Sequence, residues 1–255
     1  MLRPSLTTCD LTRRFGGHVA VNRATCAFHP GETTVIVRPN GAGKTTYFNL
    51  ISGQLSATSG KVHLGETDIT GMSTSTRARH GIGPAFQLTN LFAQLSGLGK
   101  YPPCRAGPRR CRLGLFRPAD ALVALKHSAE KDLEAAHLSD KACLPTAALP
   151  HGDQRKLEVA RLMAMEPDIY TFDEPTAGMS LDQAPAVLDL IAQIKRDPAT
   201  TVLLVEHKMD VVRALADRII VLHNGELPAD GPPAQVMASQ IVRNVYRGTA
   251  TEQTT

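Results

Sequence analysis

Over residues 5 to 32 apolar and polar positions alternate with the period of a half-buried β-strand. The alternation predicts one strand around Leu6 to Leu11 and a second over Val21 to His29, in which Ala24, Cys26 and Phe28 face one way and Arg23, Thr25 and Ala27 the other. RRFGGHVAV is read as the connection between them, and Pro30-Gly31 as the turn that closes the second. Val35-Ile36-Val37 is a short unbroken apolar run that ends in a Gly-containing turn and opens into a helical segment at Lys44 and Thr45. SGKVHLGETDITG predicts a further short strand and turn, and Leu122, Leu125, Ala129, Leu133 and Ala136 give residues 119 to 138 a helical spacing. A helix beginning at Gly152 or Asp153 runs to about Met165 and is stopped by Glu166-Pro167. Asp168 to Phe172 reads as a buried strand, although Tyr170 and Thr171 are polar for one, and Thr201 to Glu206 as another. RIIVLHNGELPADG makes two strands joined at Asn224-Gly225, followed by a helix and the polar tail GTATEQTT.

The composition, 42% hydrophobic and 20% charged over 255 residues, is that of a folded chain with a sizeable core, and it excludes global disorder. The net charge of +4 does not by itself point to nucleic acid. Its distribution is uneven. Residues 96 to 118 hold Lys100, Arg105, Arg109, Arg110, Arg112 and Arg117 with no acidic residue, leaving a net −2 elsewhere. With Tyr101 and Phe116 the stretch has the makings of a phosphate or lipid-surface patch, but its Pro and Gly density favours a solvated loop. Cys9, Cys26, Cys104, Cys111 and Cys143 are odd in number and form no C-x-x-C pair, which suits reduced thiols better than disulfides or a zinc site at Cys104 and Cys111. No apolar run approaches the roughly 18 residues of a membrane span, and MLRPSLTTCDL lacks the apolar segment of a signal peptide. A cytoplasmic chain, docked on a membrane protein at most, is expected.

Two stretches carry chemistry. In RPNGAGKTT the backbone N–H groups of Asn40 to Thr45 can converge on an anion at a helix N-terminus, Lys44 can reach the outer phosphates, and the Thr45 hydroxyl can hold Mg²⁺. The pattern is that of a phosphate loop, except that Arg38 stands where its first glycine belongs. Downstream, Asp173 and Glu174 follow an apolar strand, so one carboxylate can serve Mg²⁺ while the other faces a substrate water as general base. The strand from Thr201 delivers His207 to the same edge of an open parallel sheet, where ligands bind. Phe15 precedes a glycine pair, where an exposed aromatic can stack on a purine ring; periodicity alone makes it a core residue.

RRFGG, PNGAGKTT, AFQ, LPHGDQRKLEVAR, FDEPTAGMSLD and LLVEHKMD, in that order, resemble the ATP-binding subunits of ABC transporters, nearest those of the branched-chain amino acid importers. The resemblance covers about residues 5 to 248 and includes a closing Val-Tyr-x-Gly at 245 to 248. It implies a P-loop α/β fold of ABC ATPase type over residues 1–248: a RecA-like core, an antiparallel β subdomain, a helical subdomain at about 88–150, and a flexible tail at 249–255. It further implies ATP and Mg²⁺ as cofactors, with Phe15 stacking on adenine and residues 38 to 46 (Arg38, Pro39, Asn40, Gly41, Ala42, Gly43, Lys44, Thr45 and Thr46) forming the phosphate loop. Gln87 senses Mg²⁺ and the attacking water, Asp173 serves Mg²⁺, Glu174 orients the water, and His207 holds the γ-phosphate. Residues 149 to 153, with His151, Gly152 and Asp153, sit where the signature that closes the opposite subunit's site belongs, and Ser180 to Asp182 form a dimer-contact loop. The partners implied are a second ATP-binding subunit in a homo- or heterodimer, membrane permease subunits and, indirectly, a periplasmic solute-binding protein. The chain then sits on the cytoplasmic face of the inner membrane, and no nucleic acid is expected.

Three departures bear on activity. A non-glycine residue at Arg38 is strained by about 1 to 3 kcal/mol if that backbone takes φ > 0, although a cation beside phosphates is not electrostatically adverse. In the signature, Pro150 offers neither hydroxyl nor N–H, His151 replaces a glycine, and Asp153 brings a negative charge close to the site; Pro in a first helical turn, Asp as a cap and His151 as a donor point to weakened rather than lost function. Residues 96 to 112 lack the helix that touches the membrane subunit in this family. Beside an importer ATPase, the sequence therefore leaves a nucleotide-binding paralogue with little or no turnover, and a soluble ABC-type ATPase on nucleic acid, which usually needs two cassettes or a large extra domain.

Overall fold

The computed structural model describes residues 5–37, 44–83, 133–180 and 182–239, with Lys44 and Thr45 described by their backbone alone. Strands β1 (Leu6–Phe15) and β2 (His18–Phe28) form a hairpin that turns at Gly16-Gly17. Both strands run through RRFGGHVAV, which the sequence pattern assigned to a connection. The reason is a set of register shifts between Thr8 and Arg14: Leu11 and Thr12 are buried in succession, so the period of two breaks although pairing continues from Arg13↔Val21 to Phe15↔His18. β3 (Thr33–Val37) is buried throughout and leads toward α1 (Lys44–Ser52). β4 (Ser59–Leu64) and β5 (Thr67–Asp68) then complete an antiparallel sheet of order β2-β1-β4-β5, and α2 (Thr74–Arg79) follows, capped by the Ser73 hydroxyl.

The second half supplies α3 (His151–Met165), β6 (Ile169–Asp173), α4 (Ala184–Ile194), β7 (Thr201–Val205), α5 (Met209–Leu215), β8 (Arg218–His223), β9 (Glu226–Gly231) and α6 (Pro233–Ala238). α3 starts one residue before the predicted Gly152, with Pro150 at its N-cap making no side-chain cap bond, and ends at Glu166 in the left-handed conformation. Asp153 is thus the third residue of the first turn and not a cap. The strands form a sheet of order β6-β7-β3-β8-β9, parallel except for β9.

Because successive strand side chains point to opposite faces, this sheet separates two cores. Val35, Val37, Phe172, Leu204 and Val221 pack with α3, α4 and α5, where Val187, Leu190, Ile191 and Ile194 give α4 its buried stripe. Ile36, Ile169, Leu203, Val205 and Ile220 face the other way, onto Phe48 and Ile51 of α1 and the antiparallel sheet. Cys26 belongs to this second core; burial pushes its thiol up to about 12, which keeps it a thiol.

A buried cation fixes α1 from below. Arg77, 2% exposed, donates from Nη1 to the carbonyls of Leu50 and Ile51 at 2.7 and 2.6 Å, from Nη2 to Thr70 O at 2.8 Å and from Nε to Met72 O at 3.1 Å. These carbonyls include ones that the end of a helix leaves unpaired, and a guanidinium is the side chain with enough fixed donors to reach all four. Desolvation holds the Arg77 guanidinium below its ordinary range. Gly53 makes room for it: a Cβ there would stand 2.9 Å from Arg77 Nε, on a backbone with φ of +79° that favours glycine.

Candidate functional site

β3, the middle strand of the parallel sheet, ends at Val37, and α1 begins at Lys44. Arg38, Pro39, Asn40, Gly41, Ala42 and Gly43 lie outside the described residues. α1 carries no acidic residue in its first turn, and Thr46 is buried there. The helix start thus presents positive dipole without a competing carboxylate, which suits a phosphate group.

The neighbouring strands bring their C-terminal ends to the same edge. Asp173 pairs in register with Val205, and Glu206 N–H donates to Ile36 O at 3.3 Å, so β6, β7 and β3 finish side by side. Glu174 takes φ of +46°, a region costly for a side chain larger than glycine by about 1 to 3 kcal/mol, and is held there by its N–H bonding Val205 O at 2.9 Å. The left-handed residue turns its carboxylate toward His207, whose Nδ1 lies 3.4 Å from Glu174 Oε1 and 3.5 Å from Glu206 Oε2. Glu206 is 1% exposed and accepts from the Thr176 hydroxyl at 2.7 Å and from the backbone N–H groups of His207 and Lys208 at 2.7 and 3.2 Å. Lys208 Nζ in turn donates to Thr176 O at 3.0 Å, so two loops are stitched into one.

Gln87 lies outside the described residues, but the chain approaching it is anchored. Ile82 forms a parallel bridge to Ile169, Gly83 N–H donates to Ile169 O at 2.7 Å, and the Thr171 hydroxyl donates to Gly83 O at 2.7 Å. The polarity of Thr171 inside a buried strand is thereby satisfied, and this segment runs alongside β6 toward the common edge.

Phe15 departs from the periodic reading. It is 45% exposed at the hairpin tip, with the Arg13 guanidinium 4.5 Å from its ring centroid, an aromatic face presented to solvent rather than a core residue. The N-terminus of α3 also differs from expectation. Asp153 is buried, and its charge is met by Lys141 Nζ at 2.7 Å and Lys156 Nζ at 3.0 Å, so it does not stand as a free negative charge. Burial alone would raise the Asp153 carboxyl, yet the hydrogen bonds from Lys141 and Lys156 hold it below the ordinary carboxylate range. His151 lies at the surface against Gly178, and Gly152 is covered by the side chain of Gln183. Ser180 and Asp182 are exposed; Leu181, between them, lies outside the described residues.

The sequence reading missed Glu206, Thr176, Lys141, Lys156 and Gln183. Glu206 had a signal of its own: a charged residue directly after four consecutive apolar strand residues is buried if the strand is flanked on both sides. The lysine partners of Asp153 come from a turn and from the next helical turn, which no local pattern joins.

The groups fit a magnesium nucleotide. A helix start free of acidic residues follows the central strand, and Asp173, a hard oxygen donor of the kind Mg²⁺ takes, ends a neighbouring strand.

A parallel sheet whose central strand β3 is followed by a helix start free of acidic residues, flanked by an antiparallel sheet and edged by Asp173, Glu174 and His207, is the architecture of an ATPase cassette of the P-loop type. The ABC transporter family model matches residues 21–177, and the chain belongs to that family of ATP-binding transport proteins. It is 33% identical to the high-affinity branched-chain amino acid transport ATP-binding protein LivG of Escherichia coli strain K12, over 98% of this chain and all of LivG. It is 34% identical to BraF of Pseudomonas aeruginosa, of the same description, again over 98% of this chain and all of the relative. The crystal structure of the ADP conformation of MJ1267, an ATP-binding cassette of an ABC transporter, superposes with a TM-score of 0.81 at 25% identity, covering 96% of this chain and 99% of that one. No described helix is long and apolar enough to cross a membrane.

Proposed function

We propose that this chain is the ATP-binding and hydrolysing subunit of an importer for branched-chain or other amino acids. It pairs with a second ATP-binding subunit, identical or related, on the cytoplasmic face of the inner membrane. There it energises permease subunits supplied by a periplasmic solute-binding protein. The observation that carries the reading is the meeting of Glu174 and His207, 3.4 Å apart, at the sheet edge where β3 also ends. The likeness to LivG and BraF supports the substrate class. The cassette spans residues 1–248, with a helical subdomain at about 88–150 and a tail at 249–255.

Mg-ATP, when bound, supplies a phosphoanhydride whose γ-phosphorus exchanges its β–γ bridging oxygen for that of water, in line, releasing ADP and phosphate. The backbone of residues 38 to 46 cradles the phosphates and Lys44 neutralises them, while Phe15 stacks on the adenine. Thr45, Asp173 and Gln87 would hold the metal, which would supply charge neutralisation at the phosphates. Glu174 takes the proton of the attacking water, and His207 meets the γ-phosphate. His151, Gly152 and Asp153 close the site of the opposite subunit. Positioning and charge neutralisation provide most of the acceleration.

Purified protein is expected to hydrolyse ATP, and Glu174→Gln to lose about 10²- to 10⁴-fold in turnover while dimerising on ATP. A protein without affinity for ATP at millimolar concentration sinks the proposal. Arg38 favours a second reading, a paralogue that binds without turning over; a silent wild type revived by Arg38→Gly selects it.

A further inference from the structure

His207 Nδ1 is buried and makes no hydrogen bond, although the ring's side chain is 40% exposed. The nitrogen at the exposed edge is therefore Nε2. Nothing in the ring's own chemistry prefers this orientation; the carboxylates of Glu174 and Glu206 on the Nδ1 side do. Glu206 is held firmly in place. Its side chain is fully buried, one oxygen is taken by the Thr176 hydroxyl, and the other gathers the N–H groups of His207 and Lys208, the two residues just before α5. A buried carboxylate bonded by three donors is immobile, and it holds both the peptide that carries the imidazole and the side of the ring turned inward. It also ties His207 to the loop of Glu174 through Thr176.

We infer that Glu206 is a positioning residue for ATP hydrolysis: it fixes His207 with Nδ1 inward and Nε2 toward the ligand, and acts chiefly through His207, with a smaller share through its Thr176 bond to the loop of Glu174. The inference rests on the ATPase reading proposed above. Glu206→Gln keeps the shape and removes the charge. It is expected to lower kcat about 10- to 100-fold, the range for a carboxylate that orients a functional histidine, with KM for ATP changed less than about threefold. In a His207→Ala background the same substitution should have a clearly smaller effect, because the ring it mainly acts through is gone and only the bonds to Thr176 and the backbone remain. An equal fold-loss in both backgrounds, or a rise in KM with kcat intact, overturns the positioning role while leaving the ATPase reading standing. Loss of ATP binding in the wild type overturns the ATPase reading instead. A readout independent of turnover completes the test. In ¹⁵N spectra of the neutral imidazole, the proton of His207 should reside on Nδ1 in wild type and lose that preference in Glu206→Gln; the same tautomer in both overturns the inference.

Discussion

The side chain of Gln183 lies so close to Gly152 that a Cβ built on Gly152 would stand 2.6 Å from Gln183 Oε1. The first turn of α3 and the segment leading into α4 are thus in direct contact through a residue with no side chain of its own. Gly152→Ala separates stability from activity. The Gln183 amide is the far end of a flexible side chain and can swing away, while alanine favours the helix by up to about 1 kcal/mol. Thermal stability is expected to stay within about 1 kcal/mol of wild type. ATP turnover should fall about tenfold or more if this helix start closes the partner's site. Calorimetry and a phosphate-release assay on the same sample decide it.

Asp153 makes stability depend on pH in a stated direction. Its carboxyl is held below the ordinary value of 3.8, so the stabilisation is complete above that value and is lost as pH falls through the folded-state value beneath it. Urea midpoints measured from about pH 5 downward should fall more steeply for wild type than for Asp153→Asn, which is already weakened at neutral pH. Parallel curves would contradict the pairing with Lys141 and Lys156.

Arg77→Met should be severely destabilising, by about 3 to 5 kcal/mol, since it takes the guanidinium from four carbonyls, of which those of Leu50 and Ile51 are bonded to it in the buried interior. Arg77→Lys restores the charge but not the planar fork, and is expected to recover less than half of the loss. Denaturant unfolding of the three proteins gives the comparison.

Thr171→Val removes one hydroxyl and little volume. The bond to Gly83 O is lost and the carbonyl is left buried, for a cost of about 1 to 2 kcal/mol. Amide exchange at Ile82 and Gly83, whose backbones lean on Ile169, should rise more than at β7; unchanged protection there would mean that the bridge alone holds the segment.

Much of this architecture was legible from periodicity, and the misses share a cause. The continuous apolar runs at Val35 and Thr201 and the Asn224-Gly225 turn announced β3, β7 and the β8–β9 hairpin, because buried parallel strands and tight turns are local signals. β1 and β2 were cut short because register shifts interrupt alternation without ending pairing. Periodicity alone places Phe15 in the core, and fails for the related reason that a hairpin tip leaves the sheet whose faces define inside and outside. The positions of Asp173, Glu174 and His207 followed from strand ends, but their consolidation through Glu206 and Thr176 joins residues thirty apart, and no window of sequence contains it. The neutralisation of Asp153 is likewise tertiary.

The parallel sheet that divides the two cores has a consequence for how the molecule comes apart. Val35 and Ile36 are neighbours on one strand yet belong to different cores, so neither core can melt while the other keeps its wall. The antiparallel layer and the helical layer should accordingly behave as one cooperative unit, giving a single heat-absorption peak whose calorimetric and van't Hoff enthalpies agree.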